Sequence, residues 1–273
     1  MQTYFFVPAT KLHKIASVLE IGVDKIIIDL EDAVSFSDNP KVLEDLFLKP
    51  ELKEHFVRVP VINVHTNQID FSAIQKLKTA GFHNFMLPKL RSFGQFKTLV
   101  EEIDFTSHSI ILLVENPVML IDALLILKEF SDLFHGICMG SHDYISETGG
   151  LYNLANLELP RQLILNYARM FEISAIDIAS MELNNMENIE TEVMDGFYKG
   201  YDAKLLIHPR QLHFFNQIQF YSIQEFDWAK KVLAQLSAVN GIENFSPVVI
   251  DGTVVERPHL KRALKIVKWF KNR

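Results

Sequence analysis

Lys25-Ile26-Ile27-Ile28-Asp29-Leu30-Glu31-Asp32-Ala33-Val34 is a short β-branched run that ends abruptly in three carboxylates. A continuous apolar run of this kind suits a strand covered on both faces. Carboxylates crowded at the end of a buried strand repel one another unless a cation, an arginine or a proton offsets them. Two readings stay open at this point. The acids are a solvated exit from the strand, or they form the floor of a cation-dependent active site.

Outward from this stretch the chain alternates. Apolar, β-branched segments predict strands at 4–7, 26–30, 56–59, 84–87, 109–114, 133–139, 175–178 and 203–207. Helical spacing fills the intervals. Leu12, Ile15, Ala16 and Leu19 follow Thr10 as a candidate cap, Phe71, Ile74 and Leu77 share a face, and 93–103, 118–130, 160–171 and 188–199 read as helices. Arg58 lies in the third strand beside Pro60, where the ladder must end or lie at an edge.

Regular strand–helix alternation over about 210 residues predicts an α/β fold, a TIM (β/α)8 barrel, across 1–222. An open doubly wound sheet is the alternative. It is disfavoured because no glycine-rich phosphate turn follows the first strand. Residues 223–273 break the alternation and predict a C-terminal helical and hairpin extension. A helix at 226–236 precedes two short strands around Asp251-Gly252. Pro258 then opens a basic amphipathic helix that sets Leu260, Ala263, Leu264, Val267 and Trp269 among Lys261, Arg262, Lys265 and Lys268. Such a helix packs on the protein's own body or on a neighbouring subunit.

The 273 residues are 48% hydrophobic and carry a net charge of −7, an ordinary globular balance without the basic excess of a nucleic-acid binder. No apolar stretch reaches the roughly 20 residues that span a bilayer, and the N-terminus does not read as a signal peptide. The single cysteine, Cys138, cannot form an internal disulfide and reads as a buried thiol, which fits a cytoplasmic setting.

Active sites of TIM barrels lie at the carboxyl ends of the strands. There the sequence places Asp29, Glu31 and Asp32, then Arg58, Lys89, Glu115, Asp143 and His208. An acid-rich ring with a few cationic groups suits a metal-assisted reaction on an anionic oxoacid. Hard oxygen ligands suit Mg²⁺, and Glu115 and Asp143 come from adjacent strands. No close His/Cys cluster favours zinc. His208, before Pro209, reads as a loop-orienting residue.

Taken in order, Phe6-Val7-Pro8, Ile28 through Val34, Val57-Arg58-Val59, Met86-Leu87-Pro88-Lys89, Glu115, Gly140 with Asp143, Lys204 through Gln211, and Asp251-Gly252 through Pro258-His259-Leu260 resemble the HpcH/HpaI aldolase and citrate lyase β-subunit family, in its citrate-lyase-β-like branch. The resemblance implies a barrel that binds Mg²⁺ through Glu115 and Asp143. It implies that Arg58 holds the reacting carbonyl or the developing enolate. Glu31 and Asp32 orient Arg58 and bound water, and Lys89, Gly140 and Ser141 contact substrate. It further implies carbon–carbon lyase chemistry on a 2-oxoacid or acyl-CoA thioester, and a homo-oligomer, commonly a trimer. Glu256 stands where some members carry an acid that takes part in catalysis, although aspartate is expected there. Other departures are Ala9 for a glycine that often lies against coenzyme A, Pro60 for asparagine, Asn116-Pro117-Val118-Met119 after the metal glutamate, and His142 for the glutamate before the metal aspartate. They also motivate an alternative, a catalytically altered member that serves as a ligand-binding subunit of a larger complex.

Overall fold

Eight parallel strands follow one another around a closed barrel. They are β1 (Gln2–Pro8), β2 (Lys25–Asp29), β3 (Phe56–Arg58), β4 (Asn84–Leu87), β5 (Ser109–Val114), β6 (Phe134–Met139), β7 (Ser174–Asp177) and β8 (Ala203–Leu206). The ring closes where β1 pairs with β8, with Tyr4 opposite Leu205. This structure is a computed structural model. It describes residues 1–31, 39–63, 66–237 and 242–271, so Asp32 of the opening stretch lies outside the described residues. The chain forms two compact units, Met1–Gln217 and Ile218–Arg273.

Period-two alternation sorts the strand residues. Tyr4, Ile27, Phe56, Met86, Leu113, Cys138, Ile176 and Leu205 fill the barrel interior, while alternate residues such as Ile26, Ile28 and Phe85 are also fully buried. Both faces of each strand are therefore covered, as the continuous apolar runs require. Cys138 is one of the interior residues. Burial pushes its thiol far up, so it is a packing residue. Strand β3 pairs on both sides, with β2 and β4, so Arg58 is no edge residue and the ladder simply stops there.

The helices of the first unit are α1 (Ile15–Ile21), α2 (Asn39–Phe47), α3 (Ser72–Thr79), α4 (Phe93–Glu102), α5 (Pro117–Phe130), α6 (Ser141–Thr148), α7 (Leu154–Met170), α8 (Met186–Lys199) and α9 (Pro209–Gln217). Three differences from the sequence reading have local causes. Thr10 caps nothing, because Ala9–Lys14 forms a 3₁₀ turn before α1, and Leu12, Ile15 and Val18 are the buried residues there while Leu19 is exposed. Helix α7 begins ahead of Pro160, where Asn153 accepts a hydrogen bond from the Asn156 N–H. Helix α6, which the sequence reading does not predict, starts directly at Ser141 and places Asp143 in its first turn.

The second unit holds α10 (Ile223–Ser237), the hairpin β9 (Val248–Ile250) and β10 (Thr253–Val255), and α11 (Arg257–Lys271). The hairpin turns at Asp251 and Gly252 with φ of 51° and 78°, the paired left-handed conformation of a type I′ turn. The basic helix α11 buries Leu260, Ala263 and Ile266 with Ala229 and Val232 of α10 and Ile250 and Val255 of the hairpin. Most of its apolar stripe is thus buried inside its own unit, while Leu264 stays exposed. Tyr221 packs edge-on to Trp269, which carries this unit's start back ahead of residue 223.

Candidate active site

The same alternation that builds the core builds the site. Ile27, Phe56, Leu113 and Cys138 point into the barrel. One step further along each strand, the next inward positions are Asp29, Arg58, Glu115 and Gly140, and all four line a cavity of about 290 Å³ at the carboxyl end of the barrel. Phe6, Pro8, Met139, Leu205 and Ile207 give the cavity an apolar wall, and Ser141, His142 and Asp143 enter it from the start of α6.

Arg58 is the best-anchored charge. Its Nε and Nη2 donate to Asp29 Oδ1 and Oδ2, both at 2.8 Å, across the β2–β3 pairing that sets the two residues opposite each other. Its Nη1 lies 3.3 Å from Glu31 Oε2, and its guanidinium sits over the Phe6 ring at 4.9 Å. The residue is only 9% exposed. Bidentate and stacked contacts together fix the direction of a planar guanidinium in a way that an ammonium cannot copy.

Glu115 is 3% exposed. Its Oε2 accepts the Lys89 backbone N–H at 2.5 Å, while its buried Oε1 accepts no hydrogen bond. Burial pushes its carboxyl up to about 7, and the charges of Lys89 and Arg58 only partly offset that. Lys89 has a left-handed backbone, φ 58°. Its Nζ lies 2.9 Å from Asp143 Oδ1, 3.6 Å from Glu115 Oε1 and 3.8 Å from Glu31 Oε1. Burial disfavours the ammonium, yet these carboxylates outweigh it and hold Lys89 above its ordinary range. Glu31, Lys89, Glu115 and Asp143 thus meet as one group, although Glu31 and Lys89 stand behind the cavity lining rather than in it.

Gly140 is required by Glu115. A Cβ at Gly140 would lie 2.5 Å from Glu115 Cγ and 3.0 Å from its Oε1. Gly140→Ala is expected to cost about 1–3 kcal/mol through overpacking, read as a lower urea midpoint at unchanged slope.

The other expected residues fall as follows. Ser141 Oγ lies 3.4 Å from the Tyr152 hydroxyl, and the His142 ring stacks on Tyr152 at 4.1 Å and 4°. His208 Nδ1 accepts the Arg210 N–H at the start of α9 and so orients that turn. Glu256 belongs to the second unit, where its backbone N–H donates to His259 Nδ1 at the start of α11. Asp29 is one of the strand-end acids of the opening stretch and Phe6 belongs to the family-matching Phe6-Val7-Pro8, whereas Tyr152 is marked by neither. Strand parity marks Phe6 and Asp29, because they share the inward phase of Tyr4 and Ile27. Nothing local marks Tyr152.

Residues 2–209 match the HpcH/HpaI aldolase/citrate lyase family model. The chain belongs to this family. Citrate lyase subunit beta of Leuconostoc mesenteroides subsp. cremoris is 25% identical over 281 residues, 98% of this chain and 92% of that one. Human mitochondrial citramalyl-CoA lyase is 21% identical over 286 residues, 96% of this chain and 83% of that one. Among solved structures, CitE of Mycobacterium tuberculosis in complex with magnesium, acetoacetate and coenzyme A has the same fold, with a TM-score of 0.80 at 24% identity over 98% of this chain and 97% of that one. A citrate lyase beta subunit from M. tuberculosis complexed with oxaloacetate and magnesium has a TM-score of 0.66 at 25% identity, covering 78% of this chain and 93% of that one.

For a member of this family the donor set can be tested against a magnesium ion. Among the described residues no cluster of three or more His, Cys, Asp or Glu side chains is arranged as a metal site. Two carboxylates, Glu115 and Asp143, share the cavity. Mg²⁺ commonly takes one or two protein carboxylates and fills its octahedron with water and substrate oxygens. A desolvated carboxylate oxygen without a hydrogen-bond donor, at Glu115, is what such an ion would satisfy. The residues fit the ion.

Proposed function

We propose that this protein is a Mg²⁺-dependent carbon–carbon lyase that cleaves or forms a bond beside a carbonyl, on a small 2-oxoacid or an acyl-CoA thioester. The observation that carries this reading is the meeting of a buried Glu115, whose Oε1 accepts no hydrogen bond, with Asp143 and the rigidly held Arg58 in one cavity. The names of the relatives supply the substrate class: citrate lyase beta subunits, citramalyl-CoA lyase and, at 24% identity over 96% of this chain, the (3S)-malyl-CoA thioesterase of Cereibacter sphaeroides.

Breaking a carbon–carbon bond next to a carbonyl leaves the electron pair on the carbonyl oxygen as an enolate. Arg58 is placed to donate to that oxygen while Asp29 and Glu31 hold its direction. Leu113, Met139, Leu205 and Ile207 keep the reacting end in an apolar wall, where a fixed charge acts more strongly than in water. Glu115 and Asp143 would hold Mg²⁺, which supplies Lewis-acid stabilisation of the same developing charge. Lys89, Gly140 and Ser141 are proposed as substrate contacts, Asp32 as a further orienting acid, and Glu256 as an acid–base group. The oligomer is proposed as a cytoplasmic homotrimer, in which residues 223–273 pack on a neighbouring subunit. Among the described residues no helix is long and apolar enough to cross a membrane.

Malyl-CoA and citramalyl-CoA, followed by phenylhydrazone absorbance of the released oxoacid, test the reading. Turnover is expected with Mg²⁺, lost with EDTA and restored by added Mg²⁺. Asp143→Asn is expected to abolish the metal-dependent rate. Unchanged turnover in that variant overturns the metal assignment. Absence of both cleavage and calorimetric binding of Mg²⁺, oxaloacetate and pyruvate would instead favour the catalytically altered member that serves as a subunit of a larger complex.

A further inference from the structure

Lys89 engages both carboxylates of the proposed metal site, and it does so with two different groups. Its backbone N–H is committed to Glu115 Oε2, and the left-handed φ of 58° aims it there. A non-glycine residue adopts that conformation at a cost of order 1 kcal/mol, so surrounding contacts must maintain it. The side chain is the movable half. Its ammonium reaches Asp143 Oδ1 at 2.9 Å and stands 3.6 Å from the Glu115 oxygen that has no hydrogen-bond donor. Glu31 Oε1 is a third carboxylate oxygen, 3.8 Å away, and the Lys89 side chain keeps 26% exposure, so it has both another anion to move to and room to move.

Two cations cannot share the oxygens of Asp143 and Glu115 without repulsion. At about 4 Å, like charges in a partly desolvated site oppose each other by several kcal/mol before screening. We infer that Lys89 is a resident counter-cation of the metal site: its ammonium bridges Asp143 and Glu115 in the metal-free protein, and Mg²⁺ binds by displacing it toward Glu31. The inference rests on the metal reading above and adds a competitor to it. A contact that steadies the carboxylates in the absence of metal also lowers their affinity for it. The backbone N–H remains on Glu115 throughout, so the ligand stays oriented while the side chain leaves.

Calorimetric titration of Mg²⁺ into the full-length wild type, Lys89→Met and Lys89→Gly tests this, with thermal melts of each in EDTA and in saturating Mg²⁺. Lys89→Gly suits the left-handed backbone and keeps the N–H, so it guards against misfolding of the methionine variant. Both variants are expected to bind Mg²⁺ at least roughly tenfold more tightly than wild type. They are also expected to melt below wild type in EDTA and to lose most of that gap in Mg²⁺, because the ion replaces the missing ammonium. Equal or weaker Mg²⁺ binding in both variants, with a melting gap that persists in Mg²⁺, overturns the inference and leaves the metal site standing. No Mg²⁺ binding by any of the three proteins overturns the metal reading itself. Binding by the variants alone supports the competition in its strongest form.

Discussion

Arg58→Lys is expected to lower kcat by about 10²–10³-fold, the loss typical of removing one donor aimed at a developing oxyanion. Charge is conserved in this substitution, and what it removes is geometry. The guanidinium is held by two parallel 2.8 Å hydrogen bonds to Asp29, by Glu31 at 3.3 Å and by the face of Phe6. A lysine ammonium can satisfy Asp29 or reach the cavity, but it has no second edge with which to do both. The donor would then be free to follow the substrate in the ground state and would lose its preference for the transition state. The expected signature is a parallel fall in kcat and kcat/KM. Steady-state kinetics on the thioester that the wild type turns over would show it. A change confined to KM, or a fall in kcat of less than about tenfold, would remove Arg58 from the charge-stabilising role.

The barrel was legible because each strand is an apolar run covered on both faces and each interval carries helical spacing. The site was legible because such strands stop where polar residues begin. Asp29, Arg58 and Glu115 occupy the first inward position beyond the core layer of β2, β3 and β5, so their meeting follows from period-two geometry alone. What was not legible depends on nonlocal contacts. Ser141 to Thr148 is helical although the sequence reading predicts no helix there, and that start brings Asp143 into the cavity lining. Lys89 bears a left-handed backbone because Glu115, 26 residues away, accepts its N–H. Tyr152 becomes part of the rim through the ring of His142 and the hydroxyl of Ser141. Arg161 is the sharpest case. A helix reading places an arginine on the solvent face, yet this one is fully buried, because its partners come from β7 and α8.

Those partners set the second large effect, on stability. On the outer face of the barrel Arg161 Nε and Nη2 donate to Asp177 Oδ1 at 3.0 and 2.9 Å, and Nη1 donates to Asp195 Oδ2 at 2.6 Å. Lys204, opposite Asp177 in the β7–β8 register, donates to Asp177 Oδ2 at 3.3 Å and stands 3.8 Å from Glu192. Gly196 makes the room, since a Cβ there would lie within 2.3 Å of Asp177 Oδ2. The Arg161, Asp177 and Lys204 side chains are at most 1% exposed, whereas Asp195 and Glu192 are 26% and 19% exposed. Asp177 is therefore the fully buried anion shared by two fully buried cations. Asp177→Ala leaves Arg161 only the half-buried Asp195 and Lys204 only Glu192 at 3.8 Å, and breaking a buried pair from one side costs about 3–5 kcal/mol. For a chain of this size that corresponds to a fall in Tm of roughly 10 °C. Lys204→Met should cost less, because the Arg161–Asp177 pair survives it intact. The triple variant Arg161→Met, Asp177→Leu, Lys204→Met should regain much of the loss, since apolar replacement of a whole buried ion cluster is often close to neutral. Thermal denaturation followed by circular dichroism ranks the three. A triple variant that melts below Asp177→Ala would show that the cluster stabilises the barrel in its own right, beyond the penalty of leaving charges unpaired.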